Sequence, residues 1–351
     1  MKVLIAGGGI IGASLAYHLG EAGAEVVVVD SNPQRGGKAT PASFSWINAS
    51  HGNPRHYFDL RMQSIGAWRE LGARLPELGV RMSGGLFNEL KGAELESYVS
   101  EYASWGYDIR LIEAPAVRAI EPLLRNPPAL AALVRDEGMI EPVEATQVFV
   151  KASGAAIIKA DIQAIALDGG RAKGLQTSAG LIEAECVIVS AGTASPAILA
   201  SAGVDLPLDD PKGLLVSTQP IRNSVNHLLI TEKLHARQRA DGSLLIGSDF
   251  LGTYDMDNPQ QTADRLVASL QEMLSIDEQL EVRDMSIGAR PTPRDGFPVF
   301  GAVSGIDGLF VAVTHSGVTL APVAGMALAS EVLHGNILPL AKQYRLERFA
   351  R

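Results

Sequence analysis

Lys2-Val3-Leu4-Ile5-Ala6-Gly7-Gly8-Gly9-Ile10-Ile11-Gly12 opens the chain with an apolar run that breaks into glycines and resumes with helical spacing. Ile11, Leu15 and Leu19 share one side of a helix over residues 10–20, with Ala16 beside them, and Glu25-Val26-Val27-Val28-Val29 follows as a β-branched run ending at Asp30. Gly7, Gly9 and Gly12 have the G-x-G-x-x-G spacing of a strand-to-helix turn that cradles a dinucleotide. The first glycine permits the tight turn, the second lets backbone N–H groups reach a pyrophosphate at the positive helix end, and the third lets helix and strand pack closely. Asp30 stands where a carboxylate accepts hydrogen bonds from ribose hydroxyls and repels a 2′-phosphate. Strands joined through a helix in this way are parallel and buried on both faces. FAD and NAD fit this fingerprint equally.

The rest of the chain bounds the answer. At about 150 residues per domain, 351 residues hold slightly more than two domains. Thirty Lys and Arg against 39 Asp and Glu leave a net charge of −9, so no polycationic surface for nucleic acid is expected. A hydrophobic share of 46% with 20% charged residues is that of a globular protein, not a disordered one. The single cysteine, Cys186, excludes intramolecular disulfides and Cys-rich metal centres, and no metal is expected. Gly7-Gly8-Gly9 interrupts the apolar start and Tyr17, His18 and Glu21 follow, unlike a secretory signal. The apolar stretch from Gly308 to Leu333 is broken by Thr314-His315-Ser316 and by Pro322, so no membrane span is expected and the cytoplasm is the default location. A helix is expected near residues 57–75, a strand-rich block over 155–191 ending in the buried strand Cys186-Val187-Ile188-Val189, strands near 214–218 and 244–246, and a helix over 260–273. No flexible linker marks a domain boundary.

Near the C-terminus, Gly288-Ala289-Arg290-Pro291-Thr292-Pro293-Arg294-Asp295-Gly296-Phe297-Pro298-Val299-Phe300-Gly301 precedes a strand at Leu309–Val313, then His315-Ser316-Gly317-Val318-Thr319-Leu320-Ala321-Pro322 and a helix rich in Ala, Met and Leu. With Gly7 to Asp30, the Thr40–Ser45 loop, Gly138-Met139-Ile140-Glu141-Pro142, Lys212-Gly213 and Asp241 to Gly247, these segments resemble the glycine oxidase, D-amino-acid oxidase and sarcosine oxidase family of FAD-dependent oxidoreductases, the DAO family. The resemblance covers nearly the whole chain and is strongest at its two ends. It implies an α/β protein, α+β overall, in which a Rossmann-like FAD-binding domain (residues 1–75, 140–205 and 285–351) is interleaved with a mixed-sheet substrate domain (76–139 and 206–284). The cofactor implied is FAD, held without a covalent bond: Cys186 does not match the C-terminal cysteine to which sarcosine oxidases attach their flavin.

The same resemblance places Gly7, Gly9, Gly12 and Asp30 on the ADP part, Thr40 and Ser43 near the pyrophosphate and flavin, the backbone of Ile162 at the adenine, and Gly192 close to the cofactor. Gly317, Val318, Thr319 and Leu320 would aim backbone N–H groups and a positive helix end at the negative charge that a flavin gains on reduction. Arg290, immediately before Pro291, matches the family's carboxylate-binding arginine, and a guanidinium fork holds a carboxylate through two parallel hydrogen bonds. His315 lies by position near the flavin, and His51 and His56 follow the FAD loop where some relatives place active-site residues. Tyr254 and Arg239 fall where substrate-pocket residues are expected. The activity implied is oxidation of the C–N bond of an amino acid or N-substituted amino acid by hydride transfer to flavin N5, giving an imine and then an oxo acid. The small-molecule partner is thus a carboxylate-bearing amine, the electron acceptor is oxygen, a quinone or another carrier, and a homo-oligomer or oxidoreductase complex is possible. Two rivals stand beside this reading: a flavin-dependent 2-hydroxy-acid dehydrogenase, in which His51 or His315 would take the hydroxyl proton, and an FAD-holding subunit inactive alone.

Overall fold

The computed structural model describes residues 1–247 and 258–350; Tyr254 lies outside them. The apolar run Lys2–Ala6 and the valine run Glu25–Asp30 are neighbouring parallel strands at the middle of a six-stranded sheet, joined through the helix Ile10–Glu21. The order across this sheet is Val299–Ala302, Leu309–Val313, Cys186–Val189, Lys2–Ala6, Glu25–Asp30 and Ala156–Lys159. Among the six, Val299–Ala302 alone runs antiparallel to its neighbour.

Burial of both sheet faces follows from the strands' continuous apolar sequence. Val3, Ile5, Val26, Val28, Cys186 and Ile188 point into a core shared with the helices Ile10–Glu21, Pro142–Ser153 and Gly317–His334. The alternate residues Leu4, Ala6, Val27, Val29, Val187 and Val189 pack on the other face with Ile165, Ala172 and Leu175 of a three-stranded antiparallel sheet, residues 162–183. The block 155–191 therefore divides: its first and last strands join the six-stranded sheet, and the middle covers it.

The second large sheet has eight strands, in the order Val282–Ala289, Lys212–Pro220, Ser243–Gly247, His235–Gln238, Leu228–Thr231, Gly85–Asn88, Leu130–Val134 and Ile109–Glu113. One face packs on the helix Pro259–Met273 through Leu266, Val267 and Leu270. Strand Val282–Ala289 pairs along its length with Lys212–Pro220, so it runs across the boundary expected at 285.

Helix Gly317–His334 contains Pro322, which has no N–H to give the carbonyl of Val318. The helix Arg55–Arg74 supplies the missing donors. The Trp68 indole N–H donates to the Val318 carbonyl at 2.9 Å, and the Ser64 hydroxyl donates to the Thr319 carbonyl at 2.6 Å while accepting from the Val323 N–H at 3.3 Å. From the first helix, the Ser14 hydroxyl donates to the Ala321 carbonyl at 2.7 Å. Trp68→Phe keeps the apolar bulk and removes the donor, leaving a buried carbonyl unmatched. It should cost about 1–3 kcal/mol of stability in denaturant unfolding of the holoenzyme; a loss below measurement error would show that water replaces the indole. By length and composition this helix could cross a membrane, yet 61% of it is buried inside the fold, where its apolar surface packs on the neighbouring helices.

Candidate active site

The carboxyl ends of the parallel strands Lys2–Ala6, Glu25–Asp30, Cys186–Val189 and Leu309–Val313 open into one cavity of about 690 Å³, where open α/β sheets bind ligands. The eight-stranded sheet closes the other side through Gly213, Leu214, Gly247 and Gly288 to Arg290. Gly7, Gly9, Asp30, Thr40, Ser43, Ile162 and Gly192 line it, as do Gly317, Val318 and Thr319, His51, Arg290 and His315. Candidates spread over 312 positions of sequence, from Gly7 to Thr319, thus meet at one void.

At the nucleotide end, Gly7 has φ +104°, and a Cβ there would lie 2.7 Å from the Ala191 Cα. Gly12 does not line the cavity; its task is contact, since a Cβ on it would lie 1.9 Å from the Gly7 carbonyl oxygen. That close approach seats the first turn of the helix against the strand end, where its leading N–H groups have no intrahelical acceptor. The Thr40 hydroxyl accepts from the Ile10 N–H at 3.1 Å, so Thr40 holds the helix start as well as the wall. Asp30 accepts from the backbone N–H groups of Gly8 and Asn32, each at 2.7 Å, and keeps its carboxylate at the cavity edge.

At the opposite end, the amino end of Gly317–His334 faces the cavity with Ser316 as its N-cap. Leu320, expected to aim its N–H at the flavin, does not line the cavity: its side chain is fully buried in the core and its N–H donates to the Ser316 carbonyl at 3.0 Å. His315 stacks edge-on to Tyr57, with ring nitrogens 3.4 Å from the Tyr57 hydroxyl and 3.1 Å from the Ser316 hydroxyl. Burial, then the charges of Arg61 and Arg290, push this histidine down to about 3, so it is neutral at physiological pH. Arg290 follows the strand Val282–Ala289 directly, and its backbone N–H is fixed on the Pro211 carbonyl at 2.9 Å. His51 has φ +76° and sits 3.5 Å from the Glu89 carboxylate.

Other candidates fall elsewhere. His56 bonds Tyr344 at 2.9 Å outside the cavity lining, and Arg239 lies beside Arg237 on the Glu141 carboxylate, also outside it. Cys186 is buried in the central sheet and its thiol is pushed up to about 12 by that burial, leaving it inert.

Three cavity-wall residues fall outside the sequence motifs: Arg61, Asn48 and Trp46. Behind Trp46 lies Glu137, 1% exposed, which accepts from the Trp46 indole at 2.8 Å, the Ser50 hydroxyl at 3.1 Å and the Tyr107 hydroxyl at 3.0 Å. Burial raises its carboxyl to about 7 against the pull of those donors. The folded state thus holds a proton that the unfolded chain releases near its ordinary value of 4.5. Its contribution is fully present below that value and is lost as pH rises through about 7. Glu137→Gln should remove this component, of about 3 kcal/mol, and flatten melting temperature against pH between 5 and 8; an unchanged slope would assign the dependence to other groups.

A crevice at the carboxyl ends of a parallel sheet, with a glycine cradle at one end and a helix N-terminus at the other, defines a dinucleotide-binding protein. Residues 2–331 match the DAO family, FAD dependent oxidoreductase, and the chain belongs to that family. It is 27% identical to a glycine oxidase of Bacillus licheniformis, over 95% of this chain and 93% of that one. It is 25% identical to the hydrogen cyanide synthase subunit HcnC of Pseudomonas aeruginosa, over 96% and 93%. Among solved structures, glycine oxidase from Geobacillus kaustophilus shares the fold with a TM-score of 0.87 at 21% identity, covering 99% of both chains. L-proline dehydrogenase from P. horikoshii gives 0.85 at 22% identity, covering 99% of this chain and 97% of that one. The enzyme is therefore an FAD-dependent oxidoreductase, and the cavity's chemistry fits the cofactor: a glycine-lined strand-to-helix turn at one end, where a Cβ on Gly7 would strike the Ala191 backbone, and a helix amino end at the other.

Proposed function

We propose that the enzyme oxidises the C–N bond of an amino acid or N-substituted amino acid, yielding an imine that water hydrolyses to an oxo acid and an amine or ammonia. Arg290 on the wall of the same cavity as the Gly317 helix start is the observation that carries this reading. Bound FAD supplies the acceptor for the hydride that leaves the carbon bearing the nitrogen. Arg290 binds the substrate carboxylate as a fork and fixes that carbon in the cavity. The cationic Arg61 and Arg290 disfavour a third positive charge beside them, so the substrate amine reacts in its neutral form, its proton having gone to solvent. His315, neutral and held near 3, is too weak a base to keep that proton and acts as an oriented hydrogen-bonding wall. Gly7, Gly9, Asp30, Thr40, Ser43, Ile162 and Gly192 hold the nucleotide half of the cofactor in this reading, and Gly317, Val318 and Thr319 the flavin half. The name of the glycine oxidase relative supports an amino-acid substrate, and that of HcnC supports looking for a partner subunit.

The test is anaerobic mixing of the purified yellow holoenzyme with D- and L-amino acids, N-methyl amino acids, opines and 2-hydroxy acids while flavin absorbance is followed. Bleaching by an amine-bearing acid, with the matching oxo acid as product, is expected. Bleaching by hydroxy acids alone, or by nothing in the panel, would overturn the proposal. Admitting oxygen or a quinone afterwards identifies the electron acceptor.

A further inference from the structure

Among the described residues two arginines are buried, and they are treated differently. Arg237 is fully buried with the Glu141 carboxylate 2.8 Å away. Arg61, 4% exposed and on the cavity wall, has neutral partners only. Its Nε donates to the Asn48 carbonyl at 2.8 Å, one Nη to the Ser316 hydroxyl at 2.6 Å and the Tyr57 hydroxyl at 3.3 Å, and the other Nη to the Asn48 side-chain oxygen. Among the described residues no carboxylate is hydrogen-bonded or ion-paired to it. A buried charge without a counter-ion opposes folding, and four hydrogen bonds to neutral groups hold its geometry without cancelling its field. Glu137, behind Trp46, feels the Arg61 charge at longer range, but burial raises its carboxyl to about 7, so below that pH it is largely uncharged and the site is short of negative charge at a defined place. That place is the amino end of Gly317–His334, because Ser316, which Arg61 grips, is the N-cap of that helix. The cation and the positive helix end add together there. After burial, which is the main cause, the Arg61 charge also lowers His315 next door.

We propose that Arg61 is a fixed cation that stabilises FAD in its two-electron-reduced, anionic state. Reduction by hydride delivers two electrons and one proton, so the cofactor gains one net negative charge. Arg61 is the counter-charge built in advance for it, and its neutral partners leave it uncancelled until that charge arrives. This inference rests on the use of FAD and not on the amino-acid substrate, since FAD can be reduced without any substrate.

The experiment compares wild-type, Arg61→Gln and Arg61→Lys holoenzymes by two readouts: the two-electron midpoint potential against a reference dye, and the affinity for sulfite, whose flavin adduct is anionic. Gln keeps hydrogen-bonding atoms and loses the charge; Lys keeps the charge and loses the fork. For Arg61→Gln, loss of one nearby charge should weaken the reduction equilibrium on the order of 10- to 100-fold. That is a potential lower by about 30 to 60 mV at 29.6 mV per decade. The sulfite Kd should rise by a similar factor, while Arg61→Lys stays within about threefold of wild type on both readouts. A loaded Gln variant with unchanged potential and sulfite affinity overturns the proposal. So does a rise in substrate KM with both readouts unchanged, which would make Arg61 a second carboxylate clamp. If the Gln variant does not retain FAD, the Lys variant decides: wild-type readouts support the charge, and a tenfold loss in a loaded Lys protein overturns it. Failure of both to hold FAD would assign Arg61 to the fold and overturn it equally.

Discussion

Arg290→Met is expected to leave FAD bound and to lower kcat/KM for a carboxylate-bearing amine by about 100- to 1,000-fold, chiefly through KM. Removing one partner of a desolvated, hydrogen-bonded charge pair costs about 2–5 kcal/mol, or roughly 30- to 5,000-fold in rate, and the expected loss is the middle of that span. The backbone of residue 290 is fixed independently of its side chain, through its N–H on the Pro211 carbonyl and the strand Val282–Ala289 before it. The substitution therefore removes the fork without moving the wall. Methionine fills similar space, so the loss cannot be charged to a cavity. Saturation of the anaerobic flavin-reduction rate with substrate separates binding from chemistry. An amine without a carboxylate serves as control and should lose little. If carboxylate substrates lose less than about threefold, Arg290 is not the clamp.

What the sequence made legible, and what it hid, divides by distance along the chain. The cradle at Gly7, Gly9 and Gly12 is written within six residues, because turn, phosphate approach and helix packing are local demands on backbone. Arg290 was visible only through its flanking glycines and prolines. Arg61 was invisible as a site residue because its partners Ser316 and Asn48 lie 255 and 13 positions away, on different elements. One trace existed: Tyr57, Arg61, Ser64, Trp68 and Leu71 form the buried stripe of helix Arg55–Arg74, and a cation in such a stripe needs a reason. Glu137 left no trace at all, its donors Trp46 and Tyr107 being 91 and 30 positions off. Leu320 misled because a helix start offers only its first three or four N–H groups, and the fourth residue after Ser316 already closes the first intrahelical bond. The ordering of the block 155–191 was hidden for another reason: alternating apolar strands read alike whether they join a parallel sheet or cover it.

The close approach at Gly12 yields the other large effect. Gly12→Ala adds one methyl group, and the atom it meets at 1.9 Å is a backbone oxygen, that of Gly7, which cannot turn aside as a side chain would. Helix Ile10–Glu21 must therefore move away from the strand Lys2–Ala6, and the Ile10 N–H leaves the Thr40 hydroxyl that steadies it. A shift of about 1 Å in positioned donors costs on the order of 100-fold in what they bind. The protein should accordingly purify colourless, with FAD affinity at least about 100-fold weaker and a lower melting temperature even when saturated with FAD. Gly66→Ala is the matched control. It is the same substitution inside helix Arg55–Arg74, where a Cβ meets nothing within 4 Å, and there it should be neutral or stabilise by up to about 1 kcal/mol. The pair separates the cost of a methyl group in a helix from the cost of losing a close approach. A yellow Gly12→Ala protein with wild-type FAD affinity would mean that the helix can retreat without moving its first turn, and the cradle would then owe its function to Gly7 and Gly9 alone.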